Sequence, residues 1–249
     1  MKAVILAAGM GTRLRPLTQD LPKVLVPVSG RALLDRMIDR LGAGGISEVI
    51  VVTGYLSDKI AAHLAASEDP LAKAATVVWN ERYQDWGNFH SLLVAEEAVA
   101  GESFMRMDGD ILLGPDTVRA LIDGHGALRL AVDCRGDLGE EEMKAELDND
   151  GRVITLNKQM DPRLSIGESM GIDVIEGHIT ADLFAALREL IGLGETHEYY
   201  ERAYQLLIDR GLEVRIVDVS GDESVEIDTL EDLGAAEQAL ARQAARELR

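Results

Sequence analysis

The feature that most constrains this chain is its opening stretch, MKAVILAAGMGTRLRPLTQDLPKVL, residues 1–25. The apolar run at residues 3–7 has the length and character of a buried parallel strand. It empties into a loop where Gly9 and Gly11 permit positive φ and close backbone approach, so that main-chain N–H groups can converge on an anion. Thr12, Arg13 and Arg15 add a hydroxyl and two forked cations, and Lys23 returns as a point charge once the segment from Pro16 to Pro22 folds back. Such a loop suits a polyphosphate. A glycine pair after a strand also opens dinucleotide folds, but that fingerprint wants a third glycine where this chain has Leu14. A purely structural turn would need none of Arg13, Arg15 and Lys23 together.

Downstream, helical spacing over residues 31–43, an apolar run at 49–53, a helix at 58–66 and a strand at 75–79 alternate in order. That alternation predicts right-handed parallel crossovers and a doubly wound α/β sheet, whose ligands sit beyond the carboxyl ends of the strands. The next strand, 103–107, runs into Asp108–Gly109–Asp110. Two carboxylates one glycine apart offer a hard oxygen site for Mg²⁺, or else an Asx turn that caps the strand. A helix at 115–125 and a strand at 128–134 follow, and then the pattern changes: residues 143–148 and 152–156 alternate around Asn149–Asp150–Gly151, which predicts a hairpin. Helices are expected at 179–191 and 197–209, and strands up to residue 175 and over 212–219. The alternation at 225–228 sends Glu226 and Asp228 to one side, and Thr229 with Asp232 begins the last helix with a partial capping signal.

The formal net charge of −19 argues against nucleic acid or an anionic membrane as partner, so the N-terminal cations are a local exception. A single cysteine, Cys134, excludes an intrachain disulfide and points to a reducing cytoplasm. In LRLAVDC it reads as a small buried strand residue. The N-terminal apolar run is too short for a signal sequence or a membrane span. The expectation is a cytoplasmic protein without membrane insertion, a monomer or small homo-oligomer, with its 249 residues in one domain.

Three features bear on a second ligand. Tyr83, Trp86 and Phe89 gather in NERYQDWGNFHS although only 4% of the chain is aromatic, and they either contact a ligand or anchor the loop. Tyr200 and Tyr204 lie one helical turn apart, a stripe that core packing commonly explains. Glu168, in GESMGI, is a carboxylate close to an anion pocket. It neutralises a cationic group, accepts from a hydroxyl, or faces solvent.

LAAGMGTRLRPLT, followed by PKVLVPVSGRALLD, resembles the signature of the nucleotidyltransferases, or sugar-phosphate pyrophosphorylases, which join a nucleoside triphosphate to a phosphate monoester. The resemblance implies a Rossmann-like nucleotidyltransferase fold, a mostly parallel mixed sheet with an antiparallel acceptor-binding portion. Residues 1–115 would form the nucleotide half and 116–249 the acceptor half. It implies nucleotide binding by Leu6, Ala8, Gly9, Gly11, Thr12, Arg13, Lys23, Asn88, Ser91 and Asp108, and Mg²⁺ held by Asp108, Asp110, Glu226 and Asp228. Arg13, Lys23, Asp108 and Asp228 become the catalytic set, and Trp86, Lys158, Glu168 and Tyr200 the acceptor contacts. The implied reaction is in-line attack of the acceptor phosphate on the α-phosphorus with loss of pyrophosphate. No general base is required, because a phosphate monoester is already anionic near neutral pH, and catalysis rests on positioning and charge neutralisation.

Within that family EMKAELDNDGRVITLNK, GESMGI, NFHSLL and EIDTLEDL are most similar to cytidylyltransferases acting on phosphocholine and related phospho-alcohols or phosphonates. A quaternary ammonium wants an aromatic cage, for which Trp86, Phe89, Tyr199 and Tyr200 are available, with Glu168 and Glu226 adding negative charge. Where such enzymes often carry an asparagine pair before the serine, this chain has Gly87–Asn88 and then Phe89. An aminoethyl, inositol or sugar phosphate, with UTP, dTTP, GTP or CTP as donor, therefore stands as the alternative. A non-catalytic nucleotide-sugar-binding paralogue should have lost the phosphate loop or a metal carboxylate, and this chain keeps both.

Overall fold

The computed structural model describes residues 1–135, 138–139 and 142–247. In β1 (Lys2–Ala7) every residue is buried, and the side chains divide by parity: Ala3, Ile5 and Ala7 enter one core, Val4 and Leu6 the other. A strand dry on both faces needs helices on both sides. After the glycine loop, a two-residue ribbon of β2 (Pro27–Val28) and β3 (Arg31–Ala32) leads into α1 (Leu33–Ala43). The helix starts two residues later than its periodicity suggests, because Arg31 and Ala32 pair back onto Val28 and Pro27. Leu33, Leu34, Met37, Ile38 and Leu41 form its buried stripe against the first core, each worth roughly 1.5–3 kcal/mol of burial.

β4 (Glu48–Thr53), α2 (Ser57–Ala66), α3 (Pro70–Lys73) and β5 (Thr76–Trp79) complete the first crossovers. Then come α4 (Phe89–Leu93), α5 (Glu96–Val99), β6 (Phe104–Asp108), β7 (Ile111–Leu112), α6 (Thr117–Asp123) and β8 (Leu128–Asp133). The expected hairpin is β9 (Lys144–Leu147) and β10 (Val153–Asn157), paired antiparallel. β11 (Gly167–Ile175), α7 (Thr180–Leu193), α8 (Glu201–Asp209), β12 (Val214–Asp218), β13 (Val225–Glu226) and α9 (Leu230–Glu247) finish the order.

The main sheet runs β10-β9-β11-β6-β1-β4-β5, with β8 joined to β11 and β12 to β8. Strands β6, β1, β4 and β5 are mutually parallel, whereas β11 is antiparallel to β6, β8 and β9. The result is a mixed α/β sheet of the doubly wound, Rossmann-like kind, and its parallel part opens a crevice beyond the carboxyl ends of β1 and β6.

Two local readings need correction. The helix expected from residue 197 begins at Glu201, because the preceding segment is pinned to the loop before α4: Gly87 N–H donates to Thr196 O at 2.8 Å and Tyr200 N–H to the Asn88 side-chain oxygen at 3.0 Å. Cys134 is partly exposed and lies just past β8, its N–H donating to Ser220 Oγ at 2.7 Å. No helix among the described residues is long and apolar enough to cross a membrane.

Candidate active site

The loop after β1 owes its shape to Gly11, whose φ is +57°. A Cβ there would also lie 3.0 Å from Lys23 Cβ, so glycine answers both the left-handed backbone and the close return of the lysine. Thr18 Oγ1 donates to Gly11 O at 2.6 Å and staples the return. Lys23 then reaches two carboxylates, with Nζ 2.8 Å from Asp110 Oδ2 and 2.5 Å from Asp228 Oδ1. Burial works against the ammonium, but Asp110 and Asp228 outweigh it and hold Lys23 above the usual lysine range. Arg13 meets the other Asp228 oxygen at 2.5 Å.

The carboxylates arrive from opposite ends of the sequence. The ribbon β7–β13 sets Glu226 opposite Ile111, and Ile227 N–H donates to Asp110 O at 2.8 Å. One oxygen each from Asp110, Glu226 and Asp228 therefore lie within 4.8 Å of one another. The helix after them is fixed by a reciprocal cap: Asp232 accepts from Asp228 N–H at 3.0 Å and Thr229 N–H at 2.7 Å, and Thr229 Oγ1 accepts from Asp232 N–H at 3.2 Å. Desolvation and then the charges of Asp110, Asp228 and Asp108 push the Glu226 carboxyl up to about 9. Asp228 is desolvated too, yet Lys23 and Arg13 keep it below the usual carboxylate range. Asp110 Oδ1 is buried without a hydrogen-bond partner. An all-oxygen trio with one unpartnered oxygen fits a hard divalent cation.

Asp108 is not in that trio. Its Oδ2 accepts from Arg106 Nη1 at 3.0 Å and from Tyr200 Oη at 2.9 Å. Gly171, at φ +63°, leaves room for it, since a Cβ there would stand 2.5 Å from Asp108 Oδ2. Arg106 is wholly buried, ion-paired also to Asp173, with its guanidinium 3.7 Å from the Tyr200 ring centroid. Tyr204 Oη donates to the same Asp173 at 2.9 Å. This polar layer beneath the cleft had a readable signal: a charged residue in each of two apolar strands, FMRMD and GIDVI, which pair with Asp173 opposite Arg106. Only a known register joins them.

One cleft is lined by Leu6, Ala8, Gly9, Arg13, Asn88 and Ser91, from the expected nucleotide set, and by Asp108, Asp110, Glu226 and Asp228. Lys158 and Glu168 line it as well. Gly11, Thr12 and Lys23, from the same expected set, are not among the residues that line it, although Lys23 reaches its Asp110 and Asp228. Trp86 and Tyr200 also fall outside it. Trp86 stacks on Phe89 at 5.9 Å and meets His90 edge-on at 4.9 Å, which anchors its loop, and Tyr200 is 1% exposed. Phe89 is fully buried, so the aromatic cage suggested by the sequence is reduced to Tyr199, whose ring centroid lies 4.6 Å from Lys158 Nζ.

Sequence reasoning missed Glu142 and Glu201, which line the same cleft. Glu201 is only 6% exposed. Burial pushes its carboxyl up to about 7 despite Arg106, and its Oε2 has no hydrogen-bond partner. Burial, then Glu142 and Asp133, likewise push Glu168 up to about 7. Nothing in the sequence sets Glu201 apart, because it opens α8 like an ordinary helix-start carboxylate.

Comparison with known proteins agrees with this geometry. The profile of the MobA-like NTP transferase domain matches residues 3–203. The choline-phosphate cytidylyltransferase of Streptococcus pneumoniae is 38% identical over 110 residues, 43% of this chain and 44% of that protein. The N-acetylmuramate alpha-1-phosphate uridylyltransferase of Caulobacter vibrioides is 48% identical over 82 residues, 33% of this chain and 34% of that protein. The chain thus spans less than half the length of these two curated relatives. The solved CTP:phosphocholine cytidylyltransferase from Streptococcus pneumoniae superposes with a TM-score of 0.79 and 27% identity, covering 96% of this chain and 98% of that one.

Proposed function

This chain belongs to the MobA-like NTP transferase family, and from that premise we propose that it transfers a nucleotidyl group, by preference from CTP, to a small phosphate monoester with a cationic head, releasing pyrophosphate. Phosphocholine or a related phospho-alcohol or phosphonate is the acceptor class. The observation that carries this choice is the pair Glu168 and Glu201 on the cleft wall beside Tyr199. A desolvated carboxyl with an unpartnered oxygen is costly unless a cation enters with it, and a cationic head next to an aromatic face supplies that compensation.

On this reading Arg13 and Lys23 neutralise the triphosphate while the loop N–H groups orient it. Asp110, Glu226 and Asp228 would hold Mg²⁺, which when bound supplies positive charge at the α-phosphate. Lys158, on the same wall as Glu168, meets the acceptor phosphate. An acceptor phosphate oxygen forms the new bond to the α-phosphorus as the bond to pyrophosphate breaks opposite it. No side chain needs to remove a proton. The same reading treats residues 1–249 as one transferase domain acting in the cytoplasm.

Similarity to the uridylyltransferase of Caulobacter vibrioides favours one second reading, a sugar-1-phosphate acceptor with UTP. Pyrophosphate release, measured with each nucleoside triphosphate against phosphocholine, phosphoethanolamine, inositol phosphate and sugar 1-phosphates in Mg²⁺, separates the two. Release restricted to cationic acceptors supports the first reading. Release only with UTP or dTTP and a sugar 1-phosphate replaces it with the second.

A further inference from the structure

We infer that Asn80 fixes the polarity of the Ser91 hydroxyl, making it a hydrogen-bond donor to an acceptor atom on a pyrimidine base in the cleft. The inference rests on the nucleotide reading above. Asn80 follows β5 directly, at the carboxyl edge of the sheet, and is 1% exposed. Its backbone N–H donates to Thr53 O at 2.8 Å, which holds it against β4.

The orientation of its amide follows from an unambiguous donor. The backbone N–H of Arg82 lies 2.8 Å from one terminal atom of the Asn80 side chain, and a backbone N–H can only donate, so that atom is Oδ1. The same oxygen lies 2.7 Å from His90 Nδ1, which must therefore carry the ring proton. Burial keeps the His90 imidazole below its usual range, in keeping with a neutral ring. The remaining atom, Nδ2, is then a donor, and it lies 2.9 Å from Ser91 Oγ.

Ser91 accordingly accepts from Asn80. No hydrogen bond donated by its own hydroxyl occurs among the described residues, although Ser91 is 5% exposed. The open direction is the cleft that Ser91 lines next to Asn88 and Ala8. A hydroxyl with one lone pair held by Asn80 and its proton free can donate to a carbonyl or ring-nitrogen acceptor. Cytosine and uracil share such a carbonyl at O2, so this contact serves either pyrimidine without separating CTP from UTP. Asn80 is a positioning residue in this arrangement, acting through Ser91.

Asn80→Asp tests it with almost no change of shape. The carboxylate still accepts from Arg82 N–H and His90 Nδ1–H, but it demands the Ser91 proton and turns the hydroxyl away from the cleft. Titration calorimetry with CTP and UTP should show Asn80→Asp and Ser91→Ala each weakening binding about 10- to 100-fold, and the double variant no weaker than either alone. In turnover, the loss should fall on the nucleotide KM, with kcat and the acceptor KM within about twofold of wild type. Additive losses would mean that Asn80→Asp acts by charge rather than through Ser91, and would overturn the inference. So would full-strength pyrimidine binding by Ser91→Ala, a variant that keeps the test open if Asn80→Asp fails to fold. Wild-type protein that binds CTP but transfers nothing would refute the proposed reaction and leave this inference to the binding data. Failure to bind any pyrimidine nucleotide would refute both.

Discussion

Lys23 Nζ stands 2.8 Å from Asp110 Oδ2, although 87 positions separate the two residues. The phosphate loop and the carboxylate trio are thus one electrostatic unit, with the loop cation already balanced against the groups that would carry the metal. Lys23→Met leaves Asp110, Glu226 and Asp228 without that counter-charge. The variant should lose on the order of 1–3 kcal/mol of stability and at least about 100-fold in kcat/KM. Thermal unfolding with and without Mg²⁺ checks the pairing, because Mg²⁺ should restore the melting temperature of this variant without restoring turnover.

The trio and Asp108 should behave differently. Asp110→Asn removes a ligand, so the rise in Tm that Mg²⁺ gives the wild type should disappear together with turnover. Asp108 is tied to Arg106 and Tyr200 instead. Asp108→Asn should therefore keep most of the Mg²⁺-induced rise while turnover falls. Loss of the rise in both variants would place Asp108 among the metal ligands.

Arg106, itself wholly buried, bridges two acids, Asp108 on the cleft wall and Asp173 in the core. Removing the cation leaves uncompensated buried charge, so Arg106→Met should cost about 3–5 kcal/mol in urea unfolding. Tyr204→Phe, which deletes only the donor to Asp173, should cost about 1 kcal/mol.

Glu201 contributes to the pH dependence, alongside Glu168 and Glu226. Its carboxyl titrates at about 7 in the folded chain against an ordinary 4.5, so the folded state holds a proton that the unfolded state releases in that window. Stability from this group therefore falls as pH rises from 4.5 to about 7, and the full cost is present above that. Glu201→Gln should match wild type near the lower end of this window and exceed it at alkaline pH by about 1–3 kcal/mol. The same substitution should raise the KM for a cationic acceptor about tenfold and leave a neutral sugar phosphate unaffected.

The parts of this molecule that were legible in advance are the contiguous ones. The glycine loop, the Asp–Gly–Asp turn and the Thr229–Asp232 cap each declare themselves within a few residues, and the unbroken apolar run at residues 3–7 foretold a buried parallel strand. Contacts that depend on register were not legible. Arg106 and Asp173 lie 67 positions apart and meet only because β6 and β11 pair antiparallel. The family resemblance makes Tyr200 an acceptor contact, although core packing is the commoner reason for a tyrosine stripe, and its 1% exposure, with its backbone pinned by Asn88, puts it in the core. Glu201 depended on where α8 begins, which periodicity alone placed four residues too early.

The central claim is that the α-phosphorus of a nucleoside triphosphate moves to the acceptor. Label placement on CTP tests this most directly, with the protein, Mg²⁺ and phosphocholine present. The account predicts that label on the α-phosphate appears in the acceptor-linked product and label on the γ-phosphate in pyrophosphate. Transfer of the γ-label to the acceptor, or release of the α-label as free CMP whatever acceptor is supplied, would contradict it.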